Sequence, residues 1–141
     1  MKIILNSSAM LLLLLVSAFT GDERKTVYAK NGIEISYVKS ECKLDNSFNQ
    51  SWFLLRVKNT TSKKVTLSWK VDLYNQNNAC VNCNAQNDED VYSVSLLPGE
   101  IREGNCDFKC PPALRIVSQL LDVETKDHYP SFKLENITIT E

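Results

Sequence analysis

From Ile33 onward, apolar and polar residues alternate in short runs separated by turn-forming clusters, the period-two pattern of strands with one buried face. Ile33, Ile35 and Tyr37 alternate with Glu34 and Ser36. In the run 52–58, Phe53, Leu55 and Val57 share one face, and Asn59-Thr60-Thr61-Ser62 then supplies turn chemistry. The clearest strand spans 65–74, where Val65, Leu67, Trp69, Val71 and Leu73 alternate with polar neighbours and Tyr74. The Asn-rich stretch 75–90 breaks the pattern. Tyr92, Val94 and Leu96 resume it, Pro98-Gly99 turns the chain, and 101–106 can pair back as a hairpin.

The segment 113–123 fits a helical stripe through Leu114, Val117 and Leu121, and equally a strand through Leu114, Ile116, Ser118 and Leu120. Its β-branched content and its setting among short strands favour strand. A turn at 126–130 leads into a closing strand, 132–140, with an irregularity near Asn136. Seven short strands in one chain predict an all-β fold, a single antiparallel two-sheet sandwich over 31–141. Residues 21–30, polar and without period, read as a flexible lead-in.

The first twenty residues have another character. Lys2 precedes an apolar core centred on the run from Leu11 to Val16, and small residues follow at Ser17 and Ala18. This is the layout of a secretory signal peptide over 1–20, with a core too short for the roughly 20 apolar residues that a membrane-spanning helix needs. Its removal predicts a secreted or periplasmic protein with no membrane span in the mature chain. The 141 residues carry 16 basic and 17 acidic side chains with no cluster of either sign, which argues against nucleic acid as a partner.

Asn59-Thr60-Thr61 before Lys64-Val65-Thr66-Leu67, then a long strand, then Ser95-Leu96-Leu97-Pro98-Gly99-Glu100, resembles the bacterial immunoglobulin-like adhesion and accessory modules. The chain is also similar in flavour to small secreted bacterial proteins. The resemblance implies an immunoglobulin-like sandwich that binds or spaces other molecules and is not an enzyme. Its motifs are strand and turn chemistry and cover about half of the mature chain; the cysteines are not part of that pattern.

Five cysteines, Cys42, Cys80, Cys83, Cys106 and Cys110, accompany the export signal and read first as disulfide partners. The odd number leaves one unpaired within the chain, and sequence alone permits fifteen connectivities. A bridge from Cys80 or Cys83 to Cys106 or Cys42 is the expected tie, because it would anchor the longest irregular segment to strand ends. The alternative is a structural zinc site of four thiolates, Cys80, Cys83, Cys106 and Cys110, on two short loops. A redox site at Cys80-Val81-Asn82-Cys83 lacks the helix N-terminus and βαβ setting that activate such a pair.

Other chemistry is sparse. His128 is the one histidine, set in a charged turn beside Asp127, and no Gly-x-Ser-x-Gly elbow exists for it to serve. Asp88-Glu89-Asp90 lacks the spaced ligands and Gly of a calcium loop. No phosphate-cradling loop can be assembled from Gly32, Gly99 and Gly104. Sequons occur at Asn49-Gln50-Ser51, Asn59-Thr60-Thr61 and Asn136-Ile137-Thr138. Trp52 and Leu54 lie opposite Phe53, Leu55 and Val57, so this strand is apolar on both faces; either a loop covers the pair or they form a binding surface. The expected function is a non-enzymatic binding or structural module with no cofactor, whose partner is another protein or a cell surface.

Overall fold

The computed structural model describes residues 23–44, 49–85, 88–125 and 127–141. The signal peptide assigned to 1–20 lies outside the described residues. Among the described residues eight strands follow one another: β1 (Lys25–Lys30), β2 (Ile33–Cys42), β3 (Gln50–Asn59), β4 (Val65–Tyr74), β5 (Val91–Leu96), β6 (Ile101–Glu103), β7 (Arg115–Leu120) and β8 (Ser131–Thr140). Helix is confined, among the described residues, to single 3-10 turns at Asp88–Asp90 and Pro112–Leu114. All pairings are antiparallel, and they make two sheets. One has the order β1-β2-β3 with β6 and β7 both on the free edge of β3; the other has the order β5-β4-β8.

The period-two pattern explains the packing. Ile33, Ile35, Phe53, Leu55 and Val57 from the first sheet meet Val65, Leu67, Trp69, Val71, Val94 and Leu96 from the second in one core. Each such side chain taken fully out of water contributes about 1.5–3 kcal/mol. The closing strand shows how sequence spacing becomes geometry. Its inward residues Phe132, Leu134, Ile137 and Ile139 step by two, three and two, so one residue must be absorbed for all four to face the core. The ladder with β4 shifts register at that place, and Asn136 takes up a left-handed φ of 53°.

Two expectations are corrected. Residues 25–30 are not a lead-in: they form β1, paired with β2. The strand is exposed apart from half-buried Tyr28, so its composition carries no alternation. The missed signal was Asn31-Gly32, which joins Lys30 to Ile33 with positive φ at both residues (53° and 74°), as a two-residue type I′ hairpin requires. Second, β6 does not pair back on β5. After Pro98-Gly99 the chain crosses to the other sheet, where Ile101 lies opposite Lys58 of β3. The strand favoured over a helix for 113–123 is present as β7, with bounds Arg115–Leu120.

β6 and β7 act as one interrupted strand. Glu103 pairs with Arg56, the Gly104 amide donates to the Leu55 carbonyl at 2.8 Å, and Arg115 pairs with Leu54. Residues 105–114 are therefore an excursion inserted between adjacent rungs of a single ladder.

Candidate functional site

The two ends of the sandwich differ. At one end the connections are short and locked together. Asn59 is completely buried there; its side-chain NH2 donates to the carbonyls of Lys63 (2.8 Å) and Leu97 (3.1 Å), and its Oδ1 accepts from the Thr61 amide (2.9 Å) and hydroxyl (2.7 Å). The Asn59 amide reaches the Glu100 carbonyl, and the Thr60 amide reaches that of Gly32. Two turns thus close on the Asn59 side chain and a third is held by Thr60, leaving little to adapt to a partner.

At the other end lie the connections 43–49, 75–90 and 121–130, as the pairs Cys42↔Gln50, Gln50↔Leu120 and Tyr74↔Ser131 require. They are tied to one another. Asp122 accepts from the backbone amide of Asn49 (2.6 Å) and from its side-chain NH2 (3.2 Å), and the Leu121 amide donates to the Asn49 carbonyl. Gln76 Nε2 lies 2.8 Å from His128 Nδ1, joining the second loop to the third. The described residues of these loops carry Asp88, Glu89, Asp90, Asp122, Glu124 and Asp127 against Lys43 alone, in a chain whose formal charge is only −1. The loop end is therefore the acidic pole. Beside it, a cleft of about 260 Å³ opens between the sheets, walled by Val71, Leu73, Tyr92, Ile116 and Tyr129. Burial raises the Tyr92 phenol above its ordinary pKa of 10.0, and the charge of Asp90 adds to the effect.

Cys80 and Cys83 bridge each other within the second loop, and Cys42 bridges Cys106. The expected tie between the two regions is therefore absent. The loop needs none, because Asn82 fastens it to β4. Its Oδ1 accepts from the Leu73 amide (2.7 Å), and its Nδ2 donates to the Val71 carbonyl (2.8 Å) and to Asp90 Oδ2 (2.9 Å). A side-chain amide thus continues the ladder where β5 has ended. The four-thiolate zinc set is not assembled either: Cys106 is taken by Cys42, Cys80 and Cys83 by each other, and Cys110 alone is free, buried in the main core.

No protein-family model matches the chain, and no curated protein and no solved structure is similar to it.

The remaining candidates fall into place on geometry alone. Trp52 and Leu54 are 2% and 7% exposed, so the apolar second face of β3 is covered and is not a binding surface. They pack with Cys42, Leu44, Val38 and Cys106, and the Cys42–Cys106 bridge holds the excursion 105–114 over them. The Arg115 guanidinium stacks on the Trp52 ring, 4.7 Å from its centroid. Asp88–Asp90 is a solvent-facing turn from which Asp90 supports Asn82. Of the sequon asparagines, Asn59 is sealed in the core by its side-chain hydrogen bonds, Asn49 is engaged with Asp122, and Asn136 is exposed on the β8 bulge. What sequence reasoning missed is the acidic loop end. Its charges lie far apart along the chain and become one surface only through the strand order.

Proposed function

We propose that this is an exported, non-enzymatic binding module of immunoglobulin-like type, and that it recognises a basic surface of a protein or cell-surface partner through its acidic loop end. The observation that carries the reading is the asymmetry of the sandwich: tight, interlocked turns at one pole and, at the other, three cross-tied connections of which the second and third are acidic. Loops positioned on a rigid scaffold are where sandwiches place recognition, and a single-signed surface favours a complementary partner. The immunoglobulin-like reading draws support from the chain path. β3 crosses to the β4–β5 hairpin in the opposite sheet and returns as β6 beside β3, a Greek-key connection, and β8 then lies beside β4. Export is supported by the layout of residues 1–20 and by two disulfides. Among the described residues no helix is long and apolar enough to cross a membrane.

Photo-crosslinking side chains placed at Glu124 and at Ser62 test the reading in the exporting cell. Adducts from Glu124 that disappear at high salt, with none from Ser62, are the expected result. Adducts from Ser62 alone, or equally from both, would overturn it.

A further inference from the structure

The Cys80–Cys83 loop lies beside a buried carboxylate whose hydrogen bonding is incomplete in the oxidised fold. Asp72 sits on the outer face of β4 and is only 7% exposed. Its Oδ1 has no hydrogen-bond partner. Lys70 Nζ is 3.2 Å away, near enough to balance the charge but off the hydrogen-bonding direction. A buried acceptor without a hydrogen bond is unfavourable, and a disulfide has no proton to offer it. One Asp72 carboxylate oxygen and the sulfurs of Cys80 and Cys83 nevertheless all lie within 4.8 Å of one another. Both cysteines are partly exposed, unlike Cys42, which is fully buried.

We propose that Asp72, Cys80 and Cys83 form a redox-gated site for one thiophilic divalent cation such as zinc. A dithiol reductant opens the gate: its thiolate attacks one sulfur of the Cys80–Cys83 bridge, and its second thiol then displaces the mixed disulfide. The reductant leaves as its own disulfide, and Cys80 and Cys83 become thiols, two electrons and two protons having passed to them. The cation then replaces both thiol protons, which are released to water, and takes two thiolates and one carboxylate oxygen as ligands. The x2 spacing is that of cysteine pairs that chelate zinc, and three protein ligands leave a fourth position open. Two thiolates, Asp72 and Lys70 sum with a divalent cation to zero net charge. The loop does not need the disulfide to stay in place, because Asn82 and the Val81 amide, which donates to the Leu73 carbonyl at 2.9 Å, hold it on β4. The site lies in the second loop of the acidic end but uses none of the acidic side chains proposed for partner recognition, and it is not the four-thiolate arrangement, whose cysteines are divided between two bridges.

The test uses the full mature protein, oxidised and after treatment with a phosphine reductant under anaerobic conditions, titrated with cobalt(II) as an optical probe and zinc as competitor. Alkylation mapping records which cysteines have been opened. The reduced protein is expected to bind one equivalent with a thiolate-to-cobalt charge-transfer band, which zinc abolishes; the oxidised protein shows no band. Asp72→Asn weakens cobalt binding about tenfold or more, since even outer-shell partners of a metal site are worth 10–100-fold. Cys110→Ala leaves it unchanged. If Cys83→Ser fails to fold, Asp72→Asn decides the matter through the same band. Reduced protein that shows no band or loses its fold, or binding untouched by Asp72→Asn, overturns the proposal.

Discussion

Gly104 and Leu114 meet backbone against backbone at the point where the edge of β3 passes from β6 to β7. A Cβ on Gly104 would overlap the Leu114 carbonyl oxygen, an atom that no side-chain rotation can move aside. The contact exists because ten residues leave and re-enter the ladder between adjacent rungs, so the two ends of the excursion must touch. Gly104→Ala is expected to destabilise the protein by about 3 kcal/mol, the upper range for overpacking a site that cannot yield. Urea unfolding of the two proteins measures it.

Asn59 makes the same kind of demand at the turn end. Substitution by Ala removes three donor and two acceptor contacts inside a fully buried site, the donor contacts being those to the Lys63, Leu96 and Leu97 carbonyls. A loss of about 3 kcal/mol is expected from orphaned buried groups. Asn59→Asp keeps the acceptor but removes the donors, so it should recover little of that loss in the same assay.

The two disulfides should differ in worth. Cys42–Cys106 closes a separation of 64 residues and Cys80–Cys83 one of 3. Loop-closure entropy gives about 4 kcal/mol for the first and about 2 kcal/mol for the second. Replacing Cys42 and Cys106 together by Ala is therefore expected to lower the melting temperature roughly twice as far as replacing Cys80 and Cys83. Differential scanning calorimetry compares the two.

Alkaline pH should weaken the fold through Tyr92. Burial, then Asp90, raises its folded pKa above the ordinary 10.0, so the unfolded chain ionises first. The stabilisation is complete below pH 10 and is lost as the pH climbs from 10 through the folded value. Tyr92→Phe is expected to flatten that fall. Asp90→Asn should bring the Tyr92 titration, followed by tyrosinate absorbance, part of the way down, since burial is the larger cause.

Strand periodicity was legible wherever one face is buried and the other wet. Val65 to Leu73, Phe53 to Val57 and the bulge at Asn136 could all be read from spacing, because the core imposes that spacing. β1 was not legible from alternation, since an exposed edge strand has no buried face to pattern; only Asn31-Gly32 betrayed it. Pairing was least legible of all. Pro98-Gly99 reads as a turn whether the chain folds back on β5 or crosses to β3, and the choice is made by the free edge of β3, which no local residue records. For the cysteines, loop length suggested a longer bridge, whereas the side chain of Asn82 does the anchoring that such a bridge was expected to do.

The covered face of β3 depends on Cys42 being joined to Cys106, and the redox gate of the cation site on Cys80 being joined to Cys83. Peptide mapping of the unreduced exported protein, alkylated under denaturing conditions, tests this most directly. The expected result is a peptide with Cys80 linked to Cys83, a second with Cys42 linked to Cys106, and Cys110 as the one alkylated residue. Any bridge from Cys80 or Cys83 to Cys42, Cys106 or Cys110 contradicts it.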